Sequence, residues 1–256
     1  MVKFAEIYVE YFDSMGSDLS VVDVARASFG KVSTWVQDDE GHDVLSEKDA
    51  GLVKFLARNG HWSPFAHCMA SFRIKAPIFV ARQLVKHQIG LTWNDLDGPS
   101  WDDTAGLSWN EESRRYVKHN LEFFMPAAWR ATAANVKQGS SSTEVVTAMA
   151  SQFSEKGMHP DDAYTMTCKT AETVYEAMLG SHVAPELARV VLPVGAMTNW
   201  IWTGSLMAFA RVCKDRLGPD AQDETSEVAR TIAHFMGQLF PVAWAELRNA
   251  GEGAAS

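Results

Sequence analysis

Apolar and polar positions alternate in short runs near the amino terminus and fall into helical spacing over the later part of the chain. From Val2 to Val9 the residues partly alternate, which predicts a strand, and Leu19 to Ala27 predict a short helix before the break at Gly30. Ser46 is placed to cap a helix that carries Leu52, Val53, Phe55 and Leu56 on one side and ends near Asn59-Gly60. Met69 to Ile74 reads as a strand, and Pro77 is placed to start a helix running through Arg82 toward Gln88. From Asp162 onward the pattern predicts helices over 162–179, 184–192, 198–217 and 222–238, separated at Gly180, Pro193, Gly218-Pro219 and Pro241. Trp202, Leu206 and Phe209, like Ile232, Phe235 and Met236, recur at helical spacing and are assigned to the core or to a subunit interface.

One stretch resists this scheme. Residues 90–109 interleave Gly90, Gly98, Pro99 and Gly106 with Trp93, Trp101 and Trp109 and with Asp95, Asp97, Asp102 and Asp103. The glycines and the proline punctuate any regular element while the indoles still require packing partners, so the segment reads as an ordered excursion: an oligomer contact or a lid. No repeat or linker divides the chain, and 256 residues suit a single domain whose core needs neither disulfides nor structural metal.

Composition narrows the class. A chain 46% hydrophobic and 21% charged is that of a folded globule. A net charge of -9 argues against a nucleic-acid polymer as partner, yet it leaves room for a local basic pocket that takes a small phosphate ester. Cys68, Cys168 and Cys213 are widely separated and form no CxxC pair, so reduced thiols in a cytoplasmic protein are expected. No export signal or membrane-spanning run is seen, no membrane partner is expected, and the final Gly-Glu-Gly-Ala-Ala-Ser reads as a frayed tail.

Candidate chemistry concentrates in two polar turns. Arg82-Gln83-Leu84-Val85-Lys86-His87-Gln88 is basic and amide-rich; on a helix Arg82, Lys86 and Ile89 share one face, with Gln83 and His87 on the next. Asn110-Glu111-Glu112-Ser113-Arg114-Arg115-Tyr116 adds two guanidinium groups and a hydroxyl, donors suited to phosphate oxygens. By residue type alone the pair is either a solvated charged surface or two halves of a site for a phosphorylated ligand. His61 and His67 lack further ligands at metal spacing, so no metal is expected. No cysteine has a nucleophile's local signature, and no Gly-x-Gly-x-x-Gly or Walker loop is present.

The chain as a whole resembles the flavin-dependent thymidylate synthases. Lys86-His87-Gln88 stands where that family has Arg-His-Arg, and Asn110 to Tyr116 matches its Asn-Glu-x-Ser-x-Arg-Tyr turn, with residues 90–109 read largely as an insertion between them. His61-Trp62-Ser63-Pro64-Phe65-Ala66-His67, Pro185 to Pro193, and Asp215-Arg216 with Asp220 to Glu224 resemble three further family blocks in the same order. The resemblance implies an α/β (α+β) subunit, with a helix-rich layer on an antiparallel sheet, and a homotetramer whose active sites are shared by neighbouring subunits. It implies FAD as cofactor, methylenetetrahydrofolate as one-carbon donor, NADPH as reductant, and a deoxypyrimidine monophosphate as substrate, dUMP giving dTMP.

Carried over position by position, the resemblance assigns Gln83, Lys86, Glu111, Ser113, Arg114, Arg115, Arg189 and Arg216 to the nucleotide. Ser113, Arg115 and Arg189 are expected at its phosphate, and Gln83 and Arg216 at its base or ribose. His61, Ser63, His87, Gln88, Ser205, Met207, Arg211 and Asp220 are expected around the flavin. His87, Ser113 and Arg216 are assigned to catalysis, Ser113 as a binding and orienting group rather than a covalent nucleophile. Four kinds of departure stand out: Lys86 and Gln88 at usual arginines, Ala66 at a glutamate, Ser205 and Met207 at an Asn-x-Arg pair, and Asp220 at a histidine. They open two alternatives, 5-hydroxymethylation of dCMP and a catalytically silent nucleotide-binding or assembly protein.

Overall fold

The computed structural model describes residues 2–88, 91–94, 98–101, 107–118, 120–133, 139–151 and 154–250. Gly90, Asp95, Asp97, Asp102, Asp103 and Gly106 of the expected excursion, Ile89, and the six-residue carboxy-terminal tail lie outside the described residues.

The first half of the chain supplies three of the four strands of the main sheet, both of its edges included. Strand β1 (Tyr8–Met15) leads into helix α1 (Asp18–Ala27), and a two-residue ribbon, β2 (Val36–Gln37) with β3 (Asp43–Val44), precedes α2 (Glu47–Arg58). After a 3-10 turn at Ser63–His67 come the long β4 (Met69–Pro77), α3 (Ile78–Leu84) and a second 3-10 turn at Val85–Gln88. A hairpin of β5 (Leu91–Asn94) and β6 (Gly98–Trp101) is followed by β7 (Ser108–Glu111). Two small ribbons, β8 (Arg130–Thr132) with β9 (Ser140–Val145) and β10 (Met149–Ser151) with β11 (Ser154–Met158), lead to α4 (Pro160–Gly180). The chain closes with α5 (Pro185–Ala188), a 3-10 turn at Arg189–Val191, β12 (Met197–Ser205), α6 (Leu206–Arg216), α7 (Asp223–Leu239) and α8 (Pro241–Ala250).

The main sheet has the order β1-β4-β12-β7, and every pairing in it is antiparallel. Along β4, Ala70, Phe72, Ile74 and Ala76 turn inward, while Arg73 points out and Ser71 and Lys75 are partly covered. On β12 the partners of Phe72 and Ile74 are Trp202 and Trp200, so four large side chains stack on one face. Trp109 of β7 extends that layer, lying 4.5 Å from Trp200 and 5.6 Å from Trp202 between ring centroids. Helices α1, α2, α6, α7 and α8 cover this face and supply Val21, Val53, Phe209, Ile232 and Trp244 to the core. A smaller cluster of Leu121, Phe123, Cys168, Tyr175 and Ala196 lies under α4.

Helix ends are closed by local side chains, which is why several boundaries match the pattern of the sequence. Ser17 and Ser20 cap α1 reciprocally, Ser46 Oγ accepts from Asp49 N at 3.2 Å, and Ser205 Oγ accepts from Ala208 N at 3.1 Å. At the start of α8 the buried Asp18 carboxylate accepts from Val242 N and Ala243 N at 2.8 and 2.9 Å, so α1 and α8 are tied together across the sequence.

Four expectations need correction. The helix expected over 198–217 is a strand as far as Ser205 and a helix only from Leu206. Strand β12 is central, with Thr198, Trp200 and Trp202 buried on one face and Asn199, Ile201 and Thr203 partly covered on the other, and its apolar row runs without a break into the start of α6. The strand expected at Val2–Val9 lies at Tyr8–Met15. Residues 91–94 and 98–101 pair as a hairpin, and Ser108 and Trp109, placed in the excursion, belong to the sheet. Pro241 begins a helix as well as ending one, as its fixed φ permits at a first helical position.

Candidate functional site

Helix α3 divides the expected site residues. Its first amides are tied to the approach to β12, Ile78 N donating to Ala196 O at 3.0 Å and Phe79 N to Val194 O at 3.1 Å. Val80, Ala81 and Leu84 then anchor it in the core, leaving Arg82 and Gln83 to project on either side. Two clefts result.

The first cleft has a volume of about 550 Å³ and takes Arg82 from α3, Val85 from the 3-10 turn after it, Glu111, Glu112 and Arg114 from β7 and its following turn, and Arg189. Its acids are fixed by the sheet edge. Glu111 Oε1 accepts from Thr198 Oγ1 at 2.8 Å, and Glu112 Oε2 from Asn199 Nδ2 at 2.7 Å, across the β7–β12 pairing. Arg114 Nη2 stands 3.9 Å from Glu112, and Arg189 Nε donates to the Glu186 carbonyl at 3.3 Å. Three guanidinium groups around one opening favour an anion, and the two carboxylates hold part of that charge in place.

The second cleft, of about 610 Å³, opens at Gln83 of α3. Gln83, Lys86, Arg216 and Asp220 line it, facing a hydroxyl-rich wall of Ser140, Ser141 and Ser142 beside Arg130. Arg216 is fixed at two points: Nε donates to His87 Nε2 at 2.9 Å and Nη2 donates to the Gln83 carbonyl at 3.2 Å. Its own carbonyl accepts from Ser226 Oγ at 2.7 Å, which pins the end of α6 to α7. Because His87 accepts at Nε2, the proton of the neutral ring resides on Nδ1, which faces Asp215 Oδ2 at 4.0 Å. His87 is buried, and in this arrangement its ring orients Arg216.

Ser113 and Arg115 occupy the turn after β7. Ser113 Oγ accepts from Arg115 N at 3.3 Å and from Arg115 Nε at 3.1 Å, while the Arg115 guanidinium lies 5.3 Å from the centroid of the exposed Tyr116 ring. This turn presents a hydroxyl and a cation outward.

The residues expected around a flavin are a mixed set. His61 and Ser63 are exposed beside the 3-10 turn, the His61 ring lying at 26° to the ring of Phe55 with centroids 5.8 Å apart, and Trp62 and Phe55 are themselves exposed. Flat exposed aromatics next to imidazole and hydroxyl donors fit a large planar cofactor, and the exposed guanidinium of Arg211 fits its phosphates. Ser205 is buried with its hydroxyl engaged in capping α6, and Met207 packs against the core. Those two side chains serve the fold. Gln88 lies in the 3-10 turn, and its side chain is outside the described residues.

Some residues of the second cleft were absent from the sequence-based assignments. Arg130 reaches Glu224 through Nη2 at 2.8 and 2.9 Å and Ser140 Oγ through Nε at 2.8 Å. Gln222 and Glu224 fall within a matched block, but Arg130 and Ser140–Ser142 carry no motif; only their position in the folded chain reveals them. Among the described residues no group of three or more His, Cys, Asp or Glu is arranged to hold a metal, and no helix is long and apolar enough to cross a membrane.

The family model for Thy1, the thymidylate synthase complementing protein, matches residues 10–242. A flavin-dependent thymidylate synthase of Thermus thermophilus is 32% identical over 241 residues, covering 93% of this chain and 74% of the relative. One of Thermotoga neapolitana is 32% identical over 234 residues, covering 91% and 87%. In three dimensions the chain is similar to the UMP/dUMP methylase PolB from Streptomyces cacaoi bound with 5-Br dUMP, with a TM-score of 0.72, 28% identity and 98% of each chain covered. The same methylase bound with 5-Br UMP gives a TM-score of 0.69 at 26% identity.

Proposed function

The chain belongs to the Thy1 family of thymidylate synthase complementing proteins, and from that premise we propose that it methylates C5 of a deoxypyrimidine monophosphate, dUMP giving dTMP, in a flavin- and methylenetetrahydrofolate-dependent reaction. The observation that carries the substrate side is the gathering of Gln83, Lys86 and Arg216 in one cleft and of Arg82, Arg114 and Arg189 in the other. Cationic donors of this density suit a phosphate, and the Gln83 amide suits the edge of a pyrimidine.

The two clefts open from adjacent positions of α3, Arg82 lining one and Gln83 the other, and are separate openings on one subunit. This separation, and the outward-facing Ser113–Arg115 turn, support the shared active sites of a homotetramer. Exposed Tyr8, Phe12 and Met15 on the edge strand β1 are apolar surface suited to such assembly.

His61, Ser63 and Arg211 are the residues that fit FAD. When bound, the flavin supplies the reducing equivalents for the one-carbon transfer, and NADPH is the proposed source of those equivalents. The chain's own part is to bind and orient. Arg216 is held in place by His87, Gln83 by the start of α7, and Ser113 by the Arg115 backbone and guanidinium. No thiol is required, in keeping with the burial of Cys68, Cys168 and Cys213. Mass analysis of products from dUMP and dCMP, each supplied with reduced FAD and methylenetetrahydrofolate, tests the reading. A methyl group on dUMP is the expected result; a hydroxymethyl group on dCMP would replace it with the alternative chemistry.

A further inference from the structure

A glutamine amide has two orientations related by a half-turn, and around Gln83 the surroundings select one. Gln83 Nε2 donates to Gln222 Oε1 at 2.6 Å, and Gln83 Oε1 accepts from the Thr225 hydroxyl at 3.2 Å. Neither neighbour alone decides the direction, because a hydroxyl both donates and accepts and Gln222 can itself turn over. The decision is made one residue farther on. Gln222 Nε2 donates to Glu224 Oε2 at 2.9 Å, and an ionised carboxylate only accepts.

Glu224 is buried, and Arg130 Nη2 bonds both of its oxygens. Burial pushes the Glu224 carboxyl up, but the Arg130 guanidinium, the residue's own backbone amide and the Gln222 amide together bring it below its usual value. With the carboxylate fixed as acceptor, Gln222 must give it the NH2 group and turn its carbonyl to Gln83. Gln83 must then turn its NH2 to Gln222 and its carbonyl to Thr225. One N–H and one carbonyl lone pair of Gln83 remain for a ligand in the cleft, in fixed order.

We propose that Arg130 and Glu224 are positioning residues that set, through Gln222, the hydrogen-bond polarity that Gln83 offers to the pyrimidine ring, and thereby favour a uracil over a cytosine nucleotide. The proposal rests on the functional reading above, in which Gln83 faces the nucleotide. At the edge formed by N3 and the C4 substituent, uracil presents a donor beside an acceptor, and cytosine presents an acceptor beside a donor. An amide free to turn over accepts either base. A locked amide meets one of them donor to donor and acceptor to acceptor, which leaves polar groups unpaired.

The test is calorimetric binding of dUMP and dCMP to the intact protein and to three variants, with folding checked by circular dichroism. The wild type is expected to prefer dUMP by about tenfold or more, the scale of one mismatched polar contact. Glu224→Gln lets the relay reverse, and Gln222→Met, at an exposed position that folding tolerates, cuts it; each is expected to shrink the preference to about threefold or less. Arg130→Lys keeps the carboxylate charged and is expected to retain the preference. A wild type that binds neither nucleotide overturns the functional reading and takes this inference with it. Tight dUMP binding with the same preference in Glu224→Gln and Gln222→Met overturns this inference alone.

Discussion

Replacing Arg216 by Lys keeps a positive charge in the second cleft and removes the planar fork, so it separates geometry from charge. The wild-type side chain donates to His87 Nε2 at 2.9 Å and to the Gln83 carbonyl at 3.2 Å, and the N–H groups that remain face the cleft. A single ammonium cannot make both contacts and address a ligand as well. His87 is 8% exposed, so withdrawing the donor from its ring nitrogen should cost about 1–3 kcal/mol of stability. The ammonium left to meet the ligand is unoriented, and nucleotide affinity should fall about 10- to 100-fold, equivalent to about 1.4–2.7 kcal/mol. Urea denaturation measures the first quantity and calorimetric titration with dUMP the second. An unchanged urea midpoint together with dUMP affinity within about twofold of wild type would refute the claim that His87 and the Gln83 carbonyl hold Arg216 for its ligand.

Other positions yield independent checks. Asp18→Ala leaves the Val242 and Ala243 amides without their acceptor and should destabilise the protein by about 2–4 kcal/mol in urea denaturation. Burial raises the Asp18 carboxyl above its ordinary 3.8 despite those two donors, so folding favours the protonated form. Its contribution is therefore full below pH 3.8 and is lost as pH rises through the folded value; Asp18→Asn should flatten that part of the stability profile. Burial pushes the Cys68 thiol up to about 11 and the Cys213 thiol up to about 12, so a thiol reagent at pH 8 should leave both unmodified until denaturant is added. Gly204→Ala places a methyl group into Leu107 and against the Phe209 ring and should lower stability by about 1–3 kcal/mol in thermal or urea unfolding.

What could be read from the sequence follows from where each signal is stored. Caps are local, so Ser46 announced α2 and the end of that helix at Asn59-Gly60. The inward row of β4 was legible for the same reason, since its partly exposed outer face preserves alternation. Strand β12 was not: Trp202 stands four and seven residues before Leu206 and Phe209 of the next helix, and that spacing mimics a continuous helical stripe across a strand-to-helix junction. Strand β7 was hidden by the glycines and aspartates before it, because only the facing β12 supplies its pairing. Among site residues, Gln83 and Arg216, both assigned to the nucleotide by motif matching, line one cleft. Arg130 was invisible because its value lies in reaching Glu224, 94 positions away in the chain. Ser205 shows the converse limit, since a position in a motif does not say whether a hydroxyl faces a ligand or a helix end.

On the proposed function, this fold places a uracil nucleotide for flavin-dependent methylation. The most direct test loads purified protein with FAD, supplies a reductant and methylenetetrahydrofolate with dUMP, and identifies the nucleotide product by mass. A flavin-loaded protein that converts dUMP to dTMP is the expected result. A protein that takes up no flavin, or one that binds flavin and dUMP yet leaves the nucleotide unchanged, would contradict it.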